Sequence, residues 1–150
     1  MITADLIMPN LAATSKKQAF RLIAEQTATL FNGDAKEILD ALQDRERIGS
    51  TGIGCGVAIP HIKIKKIHKM YGVLARLQTP VDYDAIDGAP VDIIFMLLAP
   101  ADAKTTQHLK MLAHISRFLR DNHTCSRIRG TDERDMIADL LLEWAKTQAA

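Results

Sequence analysis

The sequence predicts one α/β domain over residues 1–150, a single-domain layered sandwich in which helices flank a β-sheet. Three observations carry that reading. The elements run helix, helix, several short strands, helix, helix. The run Ile93-Ile94-Phe95-Met96-Leu97-Leu98 has no polar alternation, which marks a central strand covered on both faces. A length of 150 residues suits one hydrophobic core, and no internal repeat, linker or low-complexity tract divides it.

Taken in order, Met1 to Asn10 is apolar with a Pro9-Asn10 stop and reads as a short extended piece. Ser15 followed by Gln18 is a capping box that opens a helix. Phe20, Ile23, Ala24, Thr27 and Phe31 give that helix one apolar face, and Asn32-Gly33 ends it. Asp34 with Glu37 is a second capping box, from which Ile38, Leu39 and Leu42 carry a second helix towards Arg45. The pattern then shortens to β-type runs at Val57–Ile59, Tyr71–Leu77 and Val91–Leu98. Turn chemistry such as Thr79-Pro80 and Asp87-Gly88 separates them. Pro100 closes the last run, and a helix follows from about Thr105 to Asp121. Its inner side carries Leu112, Ile115 and Leu119, and its outer side Lys110, His114, Arg117 and Asp121. His108 falls on the apolar side, near the helix start. Cys125 to Gly130 reads as a short turn of helix. Thr131 caps a final helix with the stripe Ile137, Leu140, Leu141 and Trp144, and Asp132 and Glu133 complement its dipole.

Bulk chemistry narrows the functional classes. A net charge of +1 does not mark a nucleic-acid binder. The charge is uneven, however. Acidic residues crowd the C-terminal segment, whereas none falls between Glu46 and Asp82, a window that holds Arg47, Lys63, Lys65, Lys66, Lys69 and Arg76. Cys55 and Cys125 form neither a disulfide framework nor a Cys-x-x-Cys pair, which favours a reducing compartment. There is no signal-peptide pattern, and the longest apolar run, Ile93 to Ala99, is too short to span a bilayer. The expectation is a cytoplasmic protein with no membrane insertion and no nucleic-acid partner.

The stretch from Arg45 to His61 holds the densest chemistry: a helix end, a loop with Gly49, Gly52, Gly54 and Gly56, a short strand, then Pro60-His61. Gly-x-x-x-x-Gly-Lys-[Ser/Thr] is absent, so no ordinary P-loop is present. The Gly52-x-Gly54-x-Gly56 fragment precedes a strand instead of joining a strand to a helix, which fails the dinucleotide-binding context. Cys55, His61 and His68 lack a recognised metal-ligand spacing, so no metal is expected. Ser50 is not in a nucleophile elbow. What remains is histidine as a phosphoryl acceptor, since imidazole is neutral and nucleophilic near neutral pH and can hold a covalent intermediate. Phosphoryl transfer asks for positioning and positive charge around the equatorial oxygens. Arg45 supplies a planar charged fork, and the N–H groups of Gly49, Ser50, Thr51 and Gly52 form a candidate anion nest. Pro60 is expected to end the ladder and leave His61 at a strand tip. Without its flanking motif, His61 reads better as an ordinary strand-end histidine.

The segments Arg45-Glu46, Gly49-Ser50-Thr51-Gly52 and Ala58-Ile59-Pro60-His61 resemble the enzyme IIA components of the bacterial phosphotransferase system, in the fructose/mannitol and nitrogen-related branch. Pro90-Val91-Asp92, Leu98-Ala99-Pro100-Ala101 and His108-Leu109-x-x-Leu112 extend the resemblance over most of the chain, and the nitrogen-related type is the better match. The resemblance implies a mixed sheet between helices and no cofactor. It implies that His61 is phosphorylated on its tele nitrogen, that His108 is the second active-site histidine, and that Arg45 steadies the phosphoryl group. The implied partner is a histidine-containing phosphocarrier protein of the HPr/NPr kind. Two outlets are implied: regulation of target proteins, or passage of phosphate to a IIB cysteine in sugar transport. A non-phosphorylated interaction domain is a third reading. Ile62, where the family usually has a small residue, and the basic run Lys63–Lys69 depart from the pattern.

Overall fold

The computed structural model describes residues 4–149. Its strands are β1 (Leu6–Leu11), β2 (Gly52–Gly54), β3 (Val57–Ala58), β4 (His61–Ile64), β5 (Tyr71–Val81) and β6 (Val91–Pro100). Its helices are α1 (Lys16–Ala28), α2 (Ala35–Ile48), α3 (Thr105–Arg120), α4 (Asn122–Arg129) and α5 (Arg134–Ala149). The sheet is mixed, in the order β1-β5-β6-β3-β2, with β4 also on β6. Pairing is parallel for β1–β5, β3–β6 and β4–β6, and antiparallel for β5–β6 and β2–β3.

The unbroken apolar run becomes β6, at the centre of the sheet, as its lack of alternation requires. Successive side chains divide between two cores. Ile94, Met96 and Leu98 join Phe20, Ile23, Ile38 and Leu42 from α1 and α2. Ile93, Phe95 and Leu97 join Ile115, Phe118, Ile128, Ile137 and Leu141 from α3, α4 and α5. The domain is thus three layers, α1–α2 on one face and α3–α5 on the other. Among the described residues no helix is long and apolar enough to cross a membrane.

Helix starts follow their caps and helix ends diverge. Ser15 and Asp34 accept from the Gln18 and Lys36 N–H groups. Gln18 Oε1 reaches back to the Thr14 N–H, one residue short of a regular capping box. α1 stops at Ala28 instead of Asn32-Gly33, because the Thr29 N–H and hydroxyl already bond the Gln26 carbonyl. α4 begins at Asn122 and not Cys125, since Asp121 caps it through the Thr124 N–H. Thr131 accepts from the Glu133 N–H, just ahead of α5.

Strand bounds differ more. The expected extended piece at Met1–Asn10 lies partly outside the described residues, and β1 runs through Pro9 to Leu11. A proline is tolerated there because β1 is an edge strand with a register shift between Met8 and Leu11. The short strands β2 and β4 were not expected, and Pro60 does not end the ladder. β3 pairs Ala58 with Ile94, and β4 pairs His61 with Leu97 in the same register, so one line of pairing along β6 is interrupted and then resumed. The Pro60 carbonyl still accepts from the Leu97 N–H at 2.9 Å. His61 therefore opens a strand instead of closing one.

Candidate active site

Alternation along the resumed strand decides where His61 points. Val57 and Ile59 face the α3–α5 core, while Ala58, Ile62 and Ile64 face the α1–α2 core. With the register kept across Pro60, His61 shares the face of Val57 and Ile59, under α3. There His108, in the first turn of α3 and 8% exposed, meets it edge to face, with ring centroids 5.2 Å apart and planes at 74°. Ile62 is buried in the opposite core, so the departure at that position does not intrude on the site. Lys63 is exposed and close enough to His108 to act on its charge.

Arg45 arrives from the other layer, in the last turn of α2, and donates through Nη1 to the Gly49 carbonyl at 2.9 Å. That bond uses a helix-terminal cation on a carbonyl just past the helix, as the dipole favours. Arg45, Ser50, Thr51, Gly52, His61 and Ser116 all line one cleft of about 240 Å³. A larger cleft of about 420 Å³ lies between α1 and α2, lined by Lys16, Phe20, Gln43 and Glu46, and it includes none of the histidines.

Both imidazoles are held below the ordinary histidine pKa. For His61 burial is the main cause and the Arg45 charge adds to it; the Ile59 carbonyl pulls weakly the other way. For His108 burial again leads, followed by His61 and Lys63. His61 Nδ1 and His108 Nε2 are buried and have no hydrogen-bond partner among the described residues. The pair is therefore neutral near pH 7 and incompletely satisfied.

The loop differs from a nest of free amides. The Thr51 N–H donates to Glu46 Oε1 at 2.9 Å, and the Gly52 N–H to Ser50 Oγ at 3.1 Å. Those two donors are already engaged, so the expected nest does not form from them. Beyond the loop, Cys55 and Gly56 turn the β2–β3 hairpin with φ of 56° and 83°. Arg129 fixes that hairpin, with Nε on both Asp92 oxygens and Nη2 on the Cys55 carbonyl at 2.8 Å. His68 and His123 are exposed, and His114 contacts Arg117 on the outer side of α3. Among the described residues no three of His, Cys, Asp and Glu gather as a metal-ligand group. Sequence reasoning gave no part to Lys16 or Tyr83, which bond Glu46 behind the loop. Tyr83 sits between Asp82 and Asp84, an isolated aromatic whose only signal is that contrast.

A mixed six-stranded sheet with one histidine opening a parallel strand and a second above it defines a recognisable class. The chain belongs to the family described as "Phosphoenolpyruvate-dependent sugar phosphotransferase system, EIIA 2", whose model matches residues 1–144. A nitrogen regulatory protein of Bradyrhizobium diazoefficiens is 40% identical over 141 residues, 94% of this chain and 92% of that protein. A fructose-specific EIIA component of Haloferax volcanii is 34% identical over 110 residues, 73% of this chain and 71% of that one. The crystal structure of nitrogen regulatory protein IIA-Ntr from Neisseria meningitidis superposes with a TM-score of 0.83 at 29% identity, covering 91% of this chain and 92% of that one. The protein is accordingly a phosphotransferase-system EIIA component, a phosphocarrier and regulator, matched more fully by the Bradyrhizobium nitrogen regulatory protein than by the sugar-specific component.

Proposed function

We propose that His61 accepts a phosphoryl group from a histidine-containing phosphocarrier protein of the HPr/NPr kind, and that the protein acts in the cytoplasm mainly as a regulator of target proteins. The observation that carries this reading is the His61–His108 pair beside the Arg45 cleft. With Nδ1 buried, Nε2 is the nitrogen that meets an incoming donor. Its lone pair attacks phosphorus, the P–N bond to the donor's histidine breaks, and that electron pair returns to the donor's ring. A depressed pKa keeps the attacking nitrogen unprotonated at neutral pH. Arg45 offsets charge on the transferring oxygens, and the unpartnered Nε2 of His108 gains a partner in one of them.

Transfer adds about −1.5 to −2 charges at one point on the surface. Large exposed apolar side chains adjoin candidate site residues along the chain, Ile48 next to Gly49 and Leu109 next to His108. Ile86 follows Ala85, which packs on Gly52. Exposed apolar side chains together with a charge that comes and goes suit a docking surface read by phosphorylation state.

The test is incubation with a phosphorylated histidine carrier of this phosphotransferase class. The expected result is acid-labile, base-stable label on wild type and none on His61→Ala. Wild type that never labels yet binds a target would establish an interaction-only domain. Onward passage of label to a sugar-specific IIB cysteine would establish the transport role.

A further inference from the structure

Behind the loop of residues 49–52, on the side facing α1, Glu46 is almost out of solvent, its side chain 8% exposed. Both of its oxygens are engaged. Oε1 accepts from the Thr51 N–H at 2.9 Å and from the Thr51 hydroxyl, and the Tyr83 hydroxyl lies 3.2 Å away. Oε2 accepts from Lys16 Nζ at 2.6 Å, and the same ammonium donates to the Tyr83 carbonyl at 3.0 Å. Tyr83 is fully buried, with its hydroxyl 2.7 Å from Thr51 Oγ1. The knot joins four separate segments: the start of α1, the end of α2, the loop, and the chain after β5.

A part-buried ion pair is weak as a source of stability, because desolvation and solvent screening offset most of the attraction. Burial pushes the Glu46 pKa up, yet hydrogen bonds from Lys16 and Thr51 hold it below the ordinary carboxylate value. The group is therefore kept charged in one geometry, and that geometry leads to the imidazole. The Thr51 carbonyl accepts from the Ile59 N–H at 3.0 Å, two residues before His61. Arg45 is the neighbour of Glu46 in the last turn of α2, and its guanidinium bonds the Gly49 carbonyl of the same loop. One carboxylate thus sets both the root of the guanidinium and the anchor of the strand that presents His61.

We propose that Glu46 is a positioning residue for the His61 site: fixed by Lys16 and Tyr83, it holds Thr51, and through Thr51 the distance and angle between Arg45 and His61. This rests on the reading of His61 as the phosphoryl acceptor. Glu46 touches no reacting atom. Its effect falls on the rate of transfer and not on capture of the donor.

The experiment measures initial rates of label transfer from the phosphorylated carrier over a range of carrier concentrations, for wild type, Glu46→Gln, Thr51→Val and Thr51→Ser. Phosphoramidate, a small P–N donor, is run in parallel. Glu46→Gln is expected to lower the saturating rate at least tenfold with KM within twofold, and to lower labelling by phosphoramidate to the same degree. Thr51→Val is expected to reproduce the loss, and Thr51→Ser, which keeps the hydroxyl, to recover most of it. If Glu46→Gln does not fold, the Thr51 pair decides the matter alone. Labelling of wild type at a rate that Glu46→Gln and Thr51→Val leave within twofold overturns the positioning role. A loss confined to KM, or to the protein donor, overturns it equally by assigning Glu46 to docking. Wild type that labels with neither donor overturns the His61 reading itself, and this proposal with it.

Discussion

The loop of residues 49–52 lies between two polar clusters that are satisfied to very different degrees. On the α1 side, Glu46, Thr51, Tyr83 and Lys16 engage one another until both carboxylate oxygens are bonded. On the α3 side, His61 and His108 touch edge to face, and each keeps a buried ring nitrogen without a partner among the described residues. A buried polar atom left unpaired costs about 1–3 kcal/mol. A fold that satisfies one cluster and tolerates the deficit in the other, a few residues away, concentrates its rigidity on one side of the loop and its reactivity on the other. The scaffold cluster is static and the histidine cluster is poised.

The sharpest way to break the comparison is at Arg45, which belongs to the poised side. Arg45→Met removes the charge that helps hold the His61 pKa down and the fork that faces the cleft. Labelling is expected to slow by about 100-fold, the scale for losing one charge-stabilising donor. In the same variant the His61 pKa should rise towards its ordinary value in an NMR titration. A slower rate with an unmoved pKa would place the guanidinium farther from the ring than the fold has it.

On the static side, Tyr83→Phe deletes a fully buried hydroxyl shared by Thr51 and Glu46. The expected cost is about 1–2 kcal/mol, read as a fall in Tm of roughly 2–8 °C. A change within error would show that the two remaining partners close around the gap and that the knot is redundant.

Acid should dismantle the clusters in sequence. The histidines bind fewer protons folded than unfolded, so their contribution is complete above pH 6.5 and is lost as pH falls below it towards their depressed pKa values. Glu46 also has a depressed pKa, so its contribution is complete above pH 4.5 and is lost only in stronger acid. Urea midpoints followed from pH 7 downward should decline first in the histidine window, and a His61→Gln/His108→Gln pair should flatten that first limb. A decline that begins only below pH 4.5 would mean the imidazoles are better solvated than their burial implies.

Much of this layout was legible in the residues. Ser15 and Asp34 announced their helices by capping chemistry, and Ile93 to Leu98 announced the central strand by lacking alternation. Strands of three or four mixed residues carry too little pattern to register, which is why β2 and β4 are not legible, whereas β3 shows through the apolar run Val57–Ile59. Pro60 misleads as a strand end, since a proline can interrupt one bond of a ladder while the register of Ala58 and His61 stays common. His61, His108 and Arg45 are singled out in the sequence by their motif. Lys16 and Tyr83 are not, because their bonds to Glu46 join chain segments far apart in sequence, 30 and 37 residues away.

The mildest expected effect is at the loop itself, and it separates two reasons for a glycine. A side chain at Gly52 would put its Cβ 2.8 Å from Ala85 Cβ, so close packing against the chain before Ile86 requires the absence of one. Gly49 has no such requirement: its φ of 168° is ordinary extended backbone, and a Cβ there meets nothing within 4 Å. Gly49→Ala is therefore expected to leave the fold intact and to raise stability by up to about 1 kcal/mol, by restricting the unfolded chain. Tm measures that outcome, and label transfer from the carrier should stay within twofold of wild type. If Tm holds while transfer from the protein donor drops and transfer from phosphoramidate does not, the open space at position 49 is where the carrier's backbone comes close. The glycine would then belong to the poised side of the loop and not to the static one.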